Sequence, residues 1–185
     1  VVILFNESYS SEEYHQESPK FIVENFENLS RMLRKLSLDT VYKEKYGKGE
    51  LTKLSRNEGR IIISGKKEIQ NNCKDKWVFL KQGREDAQIR EILGFHGISI
   101  DNSELMTRCV KCNHHELTKV GYEDVKELLA SEKYRNKSIS KKYQEEKAED
   151  LERQYWLCGA CKQVYWEGLQ YLKDKKQLEQ YVSKD

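Results

Sequence analysis

The sequence predicts an α/β domain with a mainly parallel sheet, followed by a smaller unit built around four cysteines. Between residues 21 and 100, short apolar runs alternate with amphipathic segments of helical periodicity, which is typical of strand–helix–strand folds. The run 60–64 (Arg-Ile-Ile-Ile-Ser) has three consecutive β-branched isoleucines at its centre, as expected for a strand that is buried on both faces of a parallel sheet. Two CxxC pairs follow, at Cys109/Cys112 and at Cys158/Cys161.

The elements of the α/β part, residues 21–100, follow from their apolar spacing. The predicted strands are 21–23, 40–42, 60–64 and 77–80. Helices are predicted where apolar residues recur every three or four positions, at 26–36, 50–58 and 84–93. The second helix should end at Gly59, because glycine readily adopts the left-handed conformation that closes a helix.

Residues 1–20 are predicted to be a linker or an added edge strand. Their apolar run, 1–5, is far too short to span a bilayer or to form the core of a signal peptide. We therefore expect no membrane partner. The sequence does not begin with Met, which suggests a piece of a longer protein.

The paired cysteines have the spacing of a metal site. Two residues between the cysteines of a tight turn let both sulfurs point at one ion, and two such turns supply the four ligands of tetrahedral zinc. A single CxxC pair would also fit a redox dithiol, but two pairs favour structural zinc. We expect a closed zinc ribbon within residues 101–172, with no catalytic role for the metal and with the ligands Cys109, Cys112, Cys158 and Cys161.

Segment 123–154 is predicted to be a charged helical insertion in the ribbon. More than half of its residues are charged, with both signs mixed, and its apolar residues, Val125 among them, are too few for a core of their own. It is either a solvated excursion or a docking segment for a scaffold or adaptor protein. The candidate partner-binding residues are Leu128, Leu129, Tyr134, Ile139 and Tyr143. A C-terminal helix is expected in 173–185, over Lys175 to Val182.

Several short motifs are distributed over both parts of the chain. In the α/β part they are Leu29-Ser30-Arg31-Met32-Leu33-Arg34, Asp39-Thr40 and Glu58-Gly59-Arg60-Ile61-Ile62-Ile63. Around the cysteines they are Arg108-Cys109-Val110-Lys111-Cys112-Asn113, Glu116-Leu117, Trp156-Leu157-Cys158-Gly159-Ala160-Cys161 and Val164-Tyr165-Trp166-Glu167-Gly168. Over most of residues 20–172, this pattern resembles the carboxy-terminal domain of the Mut-seven exonucleases, a PIN-like domain that carries a zinc ribbon.

The resemblance implies a PIN-like fold and a role beside a nuclease. Members occur as short stand-alone prokaryotic proteins, and in animals the domain follows a 3′–5′ exoribonuclease domain involved in small-RNA silencing. A chain that starts without Met suits the second arrangement, so we expect an exonuclease domain in the same protein. Its five cysteines suggest a reducing intracellular compartment, with Cys73 left over as an idle thiol. We expect the cytoplasm or a ribonucleoprotein granule as its location, with the nucleus as an alternative.

The resemblance also places carboxylates where this chain has lysines. PIN-type nucleases gather carboxylates at the carboxyl ends of parallel strands to hold Mg²⁺ or Mn²⁺. Here Lys48 and Lys66 lie near two of the expected acidic positions, and a lysine would repel the metal. We therefore predict no catalytic residues in this chain. If that is wrong, the residues to test are Glu24, Glu50 and Glu68.

The same basic residues suit RNA, so the predicted function is non-specific binding of single-stranded RNA for the exoribonuclease domain. Net charge is only +2, so the basic patch must be local. One patch, on a single face, would hold Arg34, Lys35, Lys48, Lys66 and Lys67. A second patch beside the cysteines would hold Arg108, Lys111 and Lys162, with Tyr165 and Trp166 as stacking surfaces. The alternatives are a protein-docking module and an active metal-dependent endoribonuclease.

Overall fold

A mixed sheet forms the centre of the α/β part. The structure is a computed structural model, and it describes residues 3–5, 18–47, 49–66, 77–80, 83–131 and 153–183. Within these ranges the strands of the larger sheet are β1 (Ile3–Phe5), β2 (Phe21–Glu24), β3 (Thr40–Lys43), β4 (Ile61–Ser64) and β5 (Trp77–Leu80). Their spatial order is β1-β5-β4-β2-β3.

The pairing of these strands confirms the predicted α/β class with its mainly parallel sheet. Strand β2 pairs in parallel with β3 and β4, and β4 pairs in parallel with β5. Strand β1 pairs antiparallel with β5 at the edge of the sheet. Every residue of β2, β4 and β5 is buried, which is why these strands read as continuous apolar runs in the sequence.

Helices cover both faces of this sheet. They are α1 (Glu27–Lys35), α2 (Glu50–Glu58) and α3 (Glu85–Phe95). Phe21 and Val23 of β2 point into a cluster with the apolar residues of α1 and α3, while Ile22 points to the opposite face, against Leu51 of α2. This alternation along β2 follows from the two-residue period of a strand. Helix α2 ends at Gly59, which has a φ of 64° as predicted.

A second, antiparallel sheet carries the downstream cysteine pair. It consists of β6 (Leu117–Val120), β7 (Tyr155–Cys158) and β8 (Val164–Trp166), in that order. Helix α4 (Tyr122–Ala130) packs on one face of this sheet, where Val125, Tyr155 and Val164 form a buried cluster. We call this three-stranded sheet with its cysteine turns the ribbon.

Helix α4 belongs to the predicted charged insertion, of which the structure describes residues 123–131 and 153–154. Val125 is fully buried, and Leu128 and Leu129 pack in part against the same cluster. These residues form no core of their own and instead cover the ribbon sheet, where they pack with Tyr155 and Val164. Tyr134, Ile139 and Tyr143 lie outside the described residues, so their partner role stays a prediction.

Helix α5 (Leu169–Leu178) starts six residues before the predicted position, and a 3₁₀ turn, Glu179–Tyr181, follows it. Its first turn was missed because Leu169 and Leu172 are exposed and do not form the apolar stripe that usually marks a helix. Its far end returns to the α/β part, where Leu178 and Tyr181 are buried in the main core. The division of the chain into residues 1–20, 21–100, 101–172 and 173–185 remains a prediction from the sequence. Among the described residues, no helix is long and apolar enough to cross a membrane.

We expect the substitution Val125→Ala to lower the free energy of unfolding by about 1–3 kcal/mol, because it removes two buried methyl groups from the ribbon cluster. Leu172→Ala, on a side chain that is 59% exposed, should change it little. Urea unfolding of both variants measures the difference. Equal stability of the two would show that α4 does not hold the ribbon together.

Candidate metal centre and the two edges of the sheet

The four cysteines converge as predicted and could hold one metal ion. All four sulfurs lie within 4.8 Å of one another. The Sγ atoms of Cys109 and Cys161 are 3.6 Å apart, as are those of Cys112 and Cys158. Zinc with Zn–S bonds of about 2.3 Å would place its four sulfurs about 3.8 Å apart, so the arrangement fits a tetrahedral ion.

Cys109 has a local environment that favours the thiolate form, which is the form that binds a metal ion. The Tyr165 hydroxyl donates a hydrogen bond to Cys109 Sγ at 3.1 Å. Burial alone would raise the pKa of Cys109, but hydrogen bonds from Tyr165 and from the backbone amides of Cys112 and Lys111 lower it to about 7. By contrast, burial raises the pKa of Cys112 to about 12. Tyr165 therefore supports the metal centre.

Arg34 fastens the first cysteine turn to the α/β part. Its side chain is buried, with the residue only 6% exposed. The guanidinium donates to the backbone carbonyls of Val110 and Lys111 at 2.9 and 3.1 Å, and to that of Thr40 at 2.8 Å. Its charge therefore faces protein carbonyls. The structure corrects the prediction that Arg34 presents this charge to RNA.

A second connection runs through Asp39 at the start of β3. Its carboxylate accepts hydrogen bonds from Arg60 Nη1 at 2.6 Å and from Asn113 Nδ2 at 2.7 Å. Asn113 Oδ1 in turn accepts the backbone N–H of Thr40 at 2.9 Å. Burial would raise the pKa of Asp39, but its bonds to Arg60 and Asn113 lower it overall. Asn113, which follows the second cysteine of the turn, is thus hydrogen-bonded directly to the start of β3.

Arg108 completes this junction from the other side. Its Nη1 donates to the carbonyl of Asn113 at 2.7 Å, and its Nε donates to that of Ser37 at 3.3 Å. Its guanidinium therefore serves the junction, which corrects its assignment to an RNA patch. We call Arg34, Asp39, Arg60, Arg108 and Asn113 the junction network. All five belong to the motifs that carry the family resemblance, so those motifs mark the contact between sheet and cysteine turn.

The junction network lies at the amino-terminal edge of the parallel strands. Asp39 and Arg60 directly precede β3 and β4, whose first residues pair with Phe21 at the start of β2. In open α/β sheets, ligands bind at the opposite edge, beyond the carboxyl ends of the strands. Four-residue strands separate the two edges by about 13 Å. The metal centre is therefore attached away from the edge where a PIN-type active site would form.

At the carboxyl edge, Glu24 is enclosed by hydrogen-bond donors. Its side chain is 1% exposed. Oε1 accepts from Lys66 Nζ at 2.6 Å and from the Tyr46 amide at 3.2 Å, and Oε2 accepts from Ser64 Oγ at 2.9 Å. Burial alone would raise the pKa of Glu24, but the bonds from Lys66, Tyr46 and Ser64 bring it below its ordinary value. The lysine ammonium therefore neutralises this carboxylate.

Glu50, the other predicted carboxylate that the structure describes, does not join Glu24 in a metal site. Among the described residues, the cysteines are the only group of three or more side chains that could hold a metal ion. Glu50 is half exposed and paired with Lys43 at 2.8 Å. Besides Tyr134, Ile139 and Tyr143, four more residues that the sequence analysis singled out lie outside the described ranges, namely Lys48, Lys67, Glu68 and Cys73.

Comparison with known protein families matches residues 19–178 to the Mut7-C RNAse domain. The chain belongs to this family. The suspected relationship is thereby confirmed, and it makes the chain a nuclease-related, RNA-associated domain. No curated protein and no solved structure matches the chain.

The described members of the first predicted RNA patch, Arg34, Lys35 and Lys66, do not share one face of this Mut7-C domain. Helix α1 runs from the carboxyl edge back to the amino-terminal edge, so Arg34 and Lys35 lie at its far end from Lys66. Lys35 is also paired with Asp174 of α5 at 2.8 Å. The single-patch prediction is therefore corrected. Lys111 and Lys162 are exposed beside the cysteine turns, whereas Trp166 packs in part against the ribbon cluster, on the α4 side.

The sequence analysis missed two of three neighbouring residues on the opposite face of the ribbon sheet, since it named only Tyr165 among them as a candidate RNA contact. Lys119, Trp156 and Tyr165 are cross-strand neighbours on β6, β7 and β8. Trp156 lies near-parallel to Tyr171 of α5, with ring centroids 6.2 Å apart and 11° between the planes. The signal was the two-residue alternation along β7, which puts Trp156 on the same face as Cys158 and away from α4.

If the cysteine site holds a metal ion, we expect its removal with a strong chelator to open the junction network as well as the ribbon. The Thr40 amide reports this, because its acceptor Asn113 directly follows Cys112. Its protection against hydrogen exchange should fall at least about tenfold, while amides within β2 and β4 keep theirs. Unchanged protection at Thr40 would mean that the cysteine turn holds its place without metal.

We expect Lys66→Met to lower the free energy of unfolding by about 1–3 kcal/mol at neutral pH, because it leaves the Glu24 carboxylate buried without its cation. The double change with Glu24→Gln should be milder. Since folding lowers the pKa of Glu24, the pair contributes stability above about pH 4.5 and loses it as pH falls through the folded value.

Urea unfolding between pH 3 and pH 7 tests this expectation. The loss caused by Lys66→Met should shrink toward the acid end of the range. The matched control is Lys43→Met, which breaks the exposed pair with Glu50 and should have a much smaller effect. A Lys66→Met loss that is independent of pH would contradict the proposed role of the carboxylate.

Proposed function

We propose that this Mut7-C domain binds single-stranded RNA without cutting it, and holds the RNA for a 3′–5′ exoribonuclease domain of the same protein. The observation that carries the non-catalytic part is the Glu24–Lys66 pair. A nuclease of the PIN type needs free carboxylates at the carboxyl edge for metal ions. Here the buried carboxylate at that edge already has a cation at 2.6 Å. The small-RNA context rests on the resemblance and belongs to the proposal.

We propose that the ion of the cysteine site is zinc and that its role is structural. Four thiolates satisfy zinc completely and leave no open position for substrate or water. Its ligands lie on both cysteine turns of the ribbon, and the junction network joins the first turn to the sheet. Zinc would therefore stabilise the ribbon and fix its position on the α/β part.

Charge pairing among the described residues supports one surface as the proposed RNA-binding surface. We call the face of the ribbon sheet that lies away from α4 the open face of the ribbon. Several lysines outside this face are paired with carboxylates. The recorded pairs are Lys35 with Asp174, Lys43 with Glu50, Lys66 with Glu24 and Lys126 with Glu123. Lys111 and Lys119 of the ribbon are exposed, and neither has an ion-pair partner among the described residues. Their charge is therefore available to phosphates.

The two faces of the ribbon also differ in charge. Helix α4 covers one face and carries exposed Glu123, Asp124 and Glu127, which would repel a phosphate backbone. The opposite face carries Lys119 in register with Trp156. We therefore propose that RNA approaches the face away from α4, with exposed Lys162 of the second cysteine turn as a further contact.

We expect the combined change Lys111→Ser and Lys119→Ser to weaken binding of single-stranded RNA whatever its sequence. Each phosphate contact contributes about 0.7 to the slope of log K against log salt for single strands, so the slope should flatten by about 1.4. Fluorescence anisotropy at several salt concentrations measures both quantities. The matched control, Lys43→Ser with Lys126→Ser, removes the same charge from paired lysines and should leave the slope unchanged.

We also expect no cleavage when labelled RNA is incubated with the domain and Mg²⁺ or Mn²⁺. The reason is the Glu24–Lys66 pair, which occupies the carboxylate that a PIN-type metal site would use. Cleavage that disappears in Glu24→Gln would contradict the proposal. Absence of RNA binding by the unaltered domain would contradict it independently.

A further inference from the structure

An aromatic pair lies where the ribbon meets α5. Trp156 projects from β7 on the face away from α4, and Tyr171 of α5 lies against it at 6.2 Å between centroids. Both residues are partly exposed. We propose that an unpaired base of single-stranded RNA stacks on this pair. The inference rests on the proposed RNA binding and names the part of the surface that holds a base.

The surroundings of the pair combine the two features that single-strand sites need. Such sites join a cation for the backbone with an aromatic surface for the base. Lys119 is the cross-strand partner of Trp156, so its exposed ammonium group belongs to the same face of the sheet. A phosphate at Lys119 would therefore leave the neighbouring base beside Trp156.

Helix α5 fixes one of the two rings before RNA arrives. Three residues beyond Tyr171, Asp174 pairs with Lys35 of α1 at 2.8 Å, and Leu178 is fully buried in the main core. Tyr171 is thus anchored from the α/β part while it contacts the ribbon. Ordering a ring in advance reduces the entropy lost on binding.

This arrangement also defines the class of RNA. Every base has a π face, so stacking tolerates any sequence. A base within a duplex is already stacked and paired, and it cannot reach a side chain without leaving the helix. The pair should therefore favour single strands over duplexes of the same sequence.

Tryptophan fluorescence tests the contact directly, because a stacked base quenches the indole. The chain has three tryptophans. Trp77 is buried in the α/β core, and Trp166 packs on the α4 side of the ribbon. Binding of a short oligoadenylate should quench emission in the unaltered domain and in Trp166→Phe. In Trp156→Leu the quenching should be lost. Quenching that survives Trp156→Leu would overturn the inference.

Affinity at several salt concentrations separates stacking from phosphate contact. Trp156→Leu and Tyr171→Leu keep apolar contact but remove the rings, and each should weaken oligoadenylate binding by about fivefold or more. The slope against log salt should stay as in the unaltered domain, because no phosphate contact is lost. Trp156→Phe, which keeps a ring, should restore most of the affinity. Thermal unfolding confirms that each variant is folded.

The possible failures are distinguishable. If the unaltered domain binds RNA and the two leucine variants bind equally well, the stacking site is wrong while the proposed function stands. A reduced salt slope in Trp156→Leu would also overturn it, because the loss would then be electrostatic. If the unaltered domain binds no RNA, the proposed function and this inference fall together.

Discussion

The buried guanidinium of Arg34 is the interaction on which the arrangement of this protein depends. A charge away from water is tolerated only when its hydrogen bonds are met, and removing the acceptors would leave it strongly destabilising. Those acceptors are carbonyls of the first cysteine turn and of β3. The end of α1, the start of β3 and the metal centre must therefore keep one relative position. Asp39 and Asn113 reinforce the same position with a second set of bonds.

This constraint separates the chemistry of the two sheet edges. The amino-terminal edge is occupied by the junction network, so its cations serve the structure. The carboxyl edge, where an enzyme of this fold class would act, holds a carboxylate that Lys66 neutralises. Among the described residues, the ribbon face away from α4 carries an exposed lysine beside an aromatic ring, because Lys119 and Trp156 are cross-strand neighbours there. The proposed RNA surface therefore lies on the ribbon, outside the larger sheet.

The sequence was sufficient for features that depend on neighbouring residues. The buried strands showed as β-branched runs, Gly59 marked a helix end, and the cysteine spacing predicted the converging sulfurs. It was insufficient for pairs of charges that are distant along the chain. Lys66 meets Glu24 across 42 residues, and Arg34 meets Val110 across 76. Hydrophobic periodicity does not reveal such contacts. Lysines and arginines whose charges are already paired within the fold were therefore predicted to bind RNA. The start of α5 was missed for a different reason, since its exposed leucines form no apolar stripe.

Net charge is consequently a weak guide to nucleic-acid binding in this chain. A formal charge of +2 spread evenly would attract RNA only slightly, but the pairing of lysines with carboxylates makes the distribution uneven. Each pair removes a cation from one surface without changing the total. The family motifs show the same limit, because five of their polar residues form the junction network. The motifs that carry the family resemblance therefore report how the two parts of this chain are joined, whereas the pairing of each carboxylate and each lysine determines which charges remain available to a ligand.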